Sequence, residues 1–256
     1  MKKKLFVISD VHGFYDEMKK ALDEAGFDEN NQDHLLLGLG DYFDRGREPL
    51  KVMKYLHNLP NKVLVKGNHE QLLVDCCRRG MTYSHDISNG TARTIYDIAY
   101  IPGHIEDFPE MCDYTLNRTK HFLDSMVDYF ETKNYIFVHS WIPVINEDGL
   151  PAHYTRGRRF SFNPYWRNAN RKDWDESRWG NPFALDEQGL NQTGKTIVFG
   201  HWHSSTGWAK AEGRSEFGED AKFDIYYGDG FTSIDACTAH TGKVNVLVLE
   251  DELLED

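Results

Sequence analysis

The chain has 256 residues, 40% of them hydrophobic, with six tryptophans and a formal net charge of −12. That much apolar surface supports a substantial core, so a globular protein is expected, either one large α/β domain or two small ones. The acidic balance argues against stable binding to nucleic acid, whose partners usually carry basic surfaces, but it permits divalent cations or an anion in a local positive pocket.

The opening "MKKKLFVISD" is too short in apolar residues before Ser9 and Asp10 for a signal-peptide core or a membrane span. Cys76, Cys77, Cys112 and Cys237 form no C-x-x-C pair, and adjacent Cys76 and Cys77 suit a disulfide poorly. Reduced thiols in a soluble cytoplasmic protein are the expectation, with no membrane partner.

Along the chain, "KLFVIS" reads as a strand buried on both faces and ends at Asp10. Phe14, Met18, Ala21, Leu22 and Ala25 then recur at helical spacing, with Gly26 placed as a C-terminal cap. A second apolar run, "HLLLGLG", leads into "DYFDRGREP", where Asp41, Asp44 and Arg45 crowd one turn before a helix opened by Pro49. Two carboxylates so close repel each other unless each has its own cation or hydrogen-bond donor. "KVLVKG" precedes Asn68, "NYIFV" precedes His139 and "KTIVFG" precedes His201. Strand, helix, strand, helix, strand implies a parallel or mostly parallel sheet with helices on its face. The tail, with Gly-Asp-Gly and Thr-Gly-Lys turns, reads as antiparallel strands. No linker separates the runs, so a single domain over 1–256 is expected. Between His153 and Phe183 lie seven Arg or Lys, three Asp or Glu and eight aromatics with no clean period. That segment is either an irregular layer packed on the core or a cationic, aromatic cap beside an anion site.

Open α/β sheets bind ligands beyond the carboxyl ends of their strands. That rule gathers Asp10, His12, Asp41, Asn68, His139 and His201 into one crevice, with His203 as a further candidate. Oxygen and imidazole donors without cysteine favour hard or borderline divalent ions over structural zinc. The set is too large for one ion and suits two that share a carboxylate. Taken singly, each residue has a plainer role: Asp44 as a helix cap, His139 as a buried imidazole, Asn68-His69-Glu70 as a turn. Their occurrence together at five strand ends is what points to chemistry.

The motifs D-V-H-G, G-D-Y-F-D-R-G, G-N-H-E, V-H-S and G-H-W-H closely resemble those of calcineurin-like metallophosphoesterases. Within that group the resemblance is greatest to the serine/threonine protein phosphatases and their small bacterial and phage relatives. It implies a sandwich of two mixed β-sheets flanked by helices, with the metal site at the C-terminal ends of the strands. Segments near 80–130 and 145–195, least like the family, would be insertions forming a cap over the site. The resemblance assigns Asp10 and His12 to a first ion, with Asp41 as the bridge. Asn68, His139 and His201 would hold a second ion, and His203 would assist the first, as in the wider family. His69 would be the general acid oriented by Asp44, and Arg45 and Asn68 would bind the phosphate. A second phosphate-gripping arginine is usual, for which Arg178 in "DWDESRW" is the best match. Ser140 stands where the family commonly has Gly or Ala.

The implied function is hydrolysis of phosphate monoesters by in-line attack of a hydroxide bridging two divalent ions, most readily Mn²⁺, with Fe or Zn also fitting. The implied substrate is a phosphorylated protein or, as the alternative, a dinucleoside polyphosphate such as diadenosine tetraphosphate. A non-catalytic scaffold is the remaining class, and the oligomeric state is left open.

Overall fold

In a computed structural model describing residues 2–102, 107–148 and 157–254, the apolar runs become strands and the amphipathic segments helices. The N-terminal half alternates as expected: β1 (Lys2–Ile8), α1 (Tyr15–Glu24), β2 (His34–Gly38), α2 (Pro49–Asn58) and β3 (Lys62–Leu64). Four helices follow, α3 (Asn68–Arg79), α4 (Ser84–Asn89), α5 (Thr91–Ala99) and α6 (Phe108–Asp124). Then come β4 (Tyr129–Glu131), β5 (Tyr135–Val138), β6 (Ile145–Asn146), β7 (Phe160–Ser161), α7 (Arg171–Ser177) and α8 (Pro182–Asp186). The chain continues through β8 (Thr196–Phe199), α9 (Ser205–Glu212), β9 (Tyr226–Tyr227), β10 (Phe231–Ser233), α10 (Thr238–Thr241) and β11 (Leu247–Glu252).

Two mixed sheets result, ordered β11-β1-β2-β3 and β4-β5-β8-β10-β9. β1, β2 and β3 are parallel, as are β5, β8 and β10, while β11, β4 and β9 add antiparallel edges. The antiparallel tail expected from its turns holds for β9 and β11. β10 instead lies parallel to β8, because α9 and the segment after it form a crossover.

Alternation along the strands explains why they read as wholly apolar. Leu5 and Val7 of β1, Leu37 of β2, Phe137 of β5 and Val198 of β8 share the core between the sheets. Their neighbours Phe6 and Ile8 point outward into the cluster formed with α1, α2, α3, α5 and α6. Ile136, Val138, Ile197 and Phe199 point outward on the far side, onto Trp141, Trp166, Trp174 and Phe183. The inner parallel strands β1, β2, β5 and β8 therefore bury both faces over most of their length, each fully buried apolar side chain contributing roughly 1.5–3 kcal/mol.

The two unfamiliar segments are layers of this architecture. α5 and α6 pack on α3 and join the helical core through Ile95, Ile98 and Phe122, and α4 packs on α5. The described part of 145–195 supplies the aromatic layer of the second sheet, with Arg167 over the Trp166 ring and hydrogen-bonded to Glu131. Residues 149–156, including the start of the basic stretch, lie outside the described residues. Cys76, Cys77, Cys112 and Cys237 are all free thiols. Among the described residues no helix is long and apolar enough to cross a membrane.

Candidate metal centre

The loops leaving β1 and β2 are laced together where the strands end. His12 N–H donates to Asp41 O at 2.8 Å, Gly13 N–H to Tyr42 O at 2.8 Å, and Gly46 N–H to His12 O at 2.7 Å. The backbone takes left-handed φ at Asp10 (52°), His12 (49°), Asp41 (57°), Asp44 (71°), Arg45 (60°) and His201 (61°). Such values are uncommon in non-glycine residues and persist where the surroundings over-determine them. Here six of them fall on candidate site residues at the strand ends.

Asp41 is the hub. Its Oδ2 lies 3.8 Å from His12 Nε2 and 3.8 Å from His69 Nε2, while Oδ1 lies 3.4 Å from His139 Nε2. Oδ1 also accepts His69 N–H at 3.0 Å. Asn68 Oδ1 stands between two imidazoles, 2.8 Å from His139 Nε2 and 3.0 Å from His201 Nδ1. Asp10 Oδ2 accepts His201 N–H at 2.8 Å and the Ser9 hydroxyl, and its Oδ1 is 3.9 Å from His12 Nε2. Asp10, His12, Asp41, Asn68, His139 and His201 are thus brought together from across the chain. Ligand atoms of His12, Asp41 and His69, and of Asp41, His139 and His201, form two groups within 4.8 Å.

The electrostatics fit cations. Burial holds His12 well below the usual imidazole range, helped by Arg45 and His69, and burial likewise lowers His139. Burial, with His139 beside it, brings His201 to about 3. All three are therefore neutral and able to donate a lone pair. Burial raises Asp10 well above the carboxylate range, and the charges of Asp235 and Asp41 add to the rise. Asp41 is buried too, yet any positive charge on the imidazoles around it, His139 first, favours its anion, and it is held below its ordinary value. Two buried carboxylates among neutral imidazoles are short of positive charge, which is what divalent ions supply. Because protons compete for Asp10 and not for these imidazoles, the rise in Tm produced by Mn²⁺ should grow as the medium is taken from mildly acidic to mildly alkaline. Thermal melts across that range check it, and Asp10→Asn should flatten the trend. Without metal the sign for Asp10 is opposite: the folded state holds its proton more tightly, so its contribution is lost as pH rises.

Glu70 is the residue the motif contained but to which sequence reasoning assigned no role. Its carboxylate accepts Asp41 N–H (2.9 Å), Tyr42 N–H (2.9 Å) and Gly67 N–H (2.8 Å), so it sets both the Asp41 turn and the start of α3. Burial and the nearby Asp41 raise it to about 7. Gly67 must be glycine for the same reason: a Cβ there would lie 2.2 Å from Asp41 Oδ1.

Asp44 faces away from Asp41. Its Oδ2 is 2.8 Å from His69 Nδ1 and also accepts the Thr91 hydroxyl, at 2.6 Å. Oδ1 accepts Thr94 Oγ1–H at 2.8 Å. Burial lowers the affinity of His69 for a proton, but Asp41 and Asp44 outweigh it and the net shift is upward. Arg45 is exposed, with Nη2 3.3 Å from His69 Nε2. The three crowded residues meet His69 at different atoms: Asp44 at Nδ1, Arg45 near Nε2, and Asp41 at the backbone N–H.

Two expected site residues stand elsewhere. Arg178 is not free to grip a phosphate: it is buried, with Nε donating to Lys66 O at 3.1 Å and its two amino groups bound to Asp175 and Asp128. A guanidinium so fully engaged ties the 175–178 turn to the first sheet and neutralises carboxylates. His203 turns Nδ1 to Ser205 Oγ at 2.7 Å and packs against Phe217, and it belongs to neither group around Asp41. Burial lowers its pKa. Ser140 donates to Gly180 O at 2.7 Å, so the departure from Gly or Ala serves to tie β5 to the 178–180 turn. Asp235, singled out by no motif ligand role, is buried near Asp10 and raised to about 6 by that burial.

Residues 3–205 match the family model described as calcineurin-like phosphoesterase. The chain is 40% identical over 70 residues to a symmetrical bis(5'-nucleosyl)-tetraphosphatase of Buchnera aphidicola subsp. Acyrthosiphon pisum (strain 5A), covering 27% of this chain and 25% of that protein. A protein of the same name from Proteus mirabilis (strain HI4320) is 41% identical over 66 residues, covering 25% and 23%. The similarity thus spans about a quarter of the length of these relatives. In fold, the chain is similar to a cold-active protein-tyrosine phosphatase of a psychrophilic Shewanella species, with TM-score 0.53, 18% identity, and 96% and 75% of the two chains covered. A candidate diadenosine tetraphosphatase gives TM-score 0.52 at 13% identity, covering 99% and 95%. The mixed sandwich, the convergent Asp, Asn and His side chains, and the match over most of its length together place this chain in the calcineurin-like phosphoesterase family.

Proposed function

We propose that this enzyme hydrolyses phosphate monoesters with two divalent cations, acting on phosphorylated serine or threonine side chains. The carrying observation is the division of labour between two buried aspartates: Asp41 lies among His12, His69 and His139, whereas Asp44 takes the Nδ1 side of His69 alone. Asp10, His12 and Asp41 would hold one ion, and Asp41, Asn68, His139 and His201 the other. When bound, the pair supplies positive charge for the phosphate and an acidified water. Manganese suits these oxygen and imidazole donors, and iron or zinc also fits them. His203 is left out of the ligand set because it is turned toward Ser205, and Arg178 is left out of the phosphate site because its donors are taken.

Arg45, exposed at the mouth, holds phosphate oxygens together with the Asn68 amide. His69, its Nδ1 fixed on Asp44, carries its transferable proton on Nε2 and gives it to the departing oxygen. A built acid of this kind matters most when the leaving group is a strongly basic alkoxide, which is why a phosphoserine or phosphothreonine substrate comes first. A second reading has its own support: the relatives named above are symmetrical bis(5'-nucleosyl)-tetraphosphatases, so a dinucleoside polyphosphate is the alternative. Its leaving group is a phosphate, which needs little help from an acid.

Turnover of a phosphoserine peptide, p-nitrophenyl phosphate and diadenosine tetraphosphate by the Mn²⁺-loaded protein separates these readings. A higher kcat/KM on the phosphopeptide supports the first, and the reverse order selects the second. No turnover of any of the three would end both and leave a non-catalytic binding scaffold.

A further inference from the structure

Asp44 is held by more than its histidine, and what holds it comes from helices that no motif marks. We propose that Thr91 and Thr94 of α5 are positioning residues that lock the Asp44–His69 pair for proton donation to poor leaving groups, an inference that rests on the phosphoesterase reading above.

Asp44 has no solvent exposure, so each carboxylate oxygen must find its donors within the protein. Oδ2 is shared by His69 Nδ1 at 2.8 Å and Thr91 Oγ1–H at 2.6 Å. Oδ1 takes Thr94 Oγ1–H at 2.8 Å, and the same hydroxyl oxygen accepts Asp44 N–H at 3.0 Å. Thr94 therefore closes a ring through the side chain and backbone of one residue, one that sits at φ 71°. The next residue is gripped from the same place. Arg45 N–H donates to Asn89 O at 3.1 Å, and a Cβ on Gly90 would lie 2.7 Å from Arg45 N. The α4–α5 junction is thus pressed onto two consecutive left-handed residues, the acid's partner and the phosphate's arginine.

The junction has little freedom to drift. Thr91 and Thr94 lie one turn apart on α5, on the face whose buried Ile95 and Ile98 enter the helical core. α6 secures the same helix through Thr115 Oγ1–H to Ile95 O at 3.3 Å and Arg118 to Ile98 O at 2.7 Å. Without the hydroxyls, the buried carboxylate is left with the imidazole as its main donor. It then swings to satisfy its lone pairs, and the imidazole turns with it. The step at stake is the breaking of the ester P–O bond as water adds to phosphorus. His69 gives the leaving oxygen its Nε2 proton and regains one from the attacking water. A misaligned ring spoils that transfer while phosphate binding through Arg45 persists.

The test compares two monoesters on metal-loaded full-length protein: phosphoserine, with an alkoxide leaving group, and p-nitrophenyl phosphate, whose leaving group needs little protonation. Thr91→Val with Thr94→Val should lower kcat on phosphoserine by roughly tenfold to a hundredfold. The loss on p-nitrophenyl phosphate should stay under about threefold, because the acid contributes little there. Thr91→Ser, which keeps the hydroxyl, should stay near wild type on both. In a His69→Asn background the valines should add no further leaving-group dependence. Where the double variant does not fold, Thr91→Val alone carries the same comparison, since Thr94 still holds the Asp44 backbone. Equal losses on both esters, or no loss on phosphoserine, would overturn the proposal. A wild type that hydrolyses neither ester would instead remove the underlying phosphoesterase reading.

Discussion

Asp41→Asn is expected to lower kcat/KM on any phosphoester by about a thousandfold or more, the equivalent of several kcal/mol of metal-derived stabilisation. The substitution keeps the shape of the side chain and removes the charge that His12, His69 and His139 surround. It also puts an amide nitrogen where an oxygen accepts His69 N–H, so a donor faces a donor in one of the two rotamers. Metal analysis should show the protein holding fewer than two ions, because one ligand shared by both sites has been weakened. Retention of full p-nitrophenyl phosphate turnover by a folded Asp41→Asn protein would remove the dinuclear mechanism.

His69→Asn should leave metal content intact and lower kcat on phosphoserine by about a hundredfold to ten-thousandfold, the range usual for a positioned acid. The amide of asparagine can still donate toward Asp44, where Nδ1 stands now, so the buried carboxylate keeps a partner. What disappears is the proton at Nε2. KM should change little, because Arg45 and Asn68 remain. The pair of variants therefore separates metal binding from proton transfer: the first loses ions and all substrates, the second loses mainly substrates with basic leaving groups. A His69→Asn enzyme as active on phosphoserine as wild type would assign the acid elsewhere.

Much of this centre was legible because its donors sit where strands end. A run such as "HLLLGLG" has to be buried on both faces, and the polar residue after it must emerge at the rim of the sheet. Asp10, Asp41, Asn68, His139 and His201 follow that logic, and the structure brings them within contact of one another. The logic fails for side chains that face away from the rim. His203 shares a motif with His201 yet is claimed by Ser205 and Phe217, and Arg178 carries the right charge but finds two carboxylates and a carbonyl first. Nothing in the spelling of a loop says which partner is nearest once the chain has closed.

What the sequence by itself determined was the order of buried strands, the helices between the first three and which polar residues stand at the strand ends. Those follow from local patterns: apolar continuity, helical spacing and turn residues. Only the tertiary structure decided the assignments that depend on long loops meeting. Glu70 gathers three backbone N–H groups, and α5 delivers Thr91 and Thr94 to Asp44 from nearly fifty positions away. The left-handed turns at Asp44 and Arg45 are likewise held by packing against Asn89 and Gly90. The physical reason is range. A period of two or 3.6 residues is written in neighbours, whereas the partner of a buried carboxylate is chosen by whichever donors the closed fold leaves within three ångströms of it.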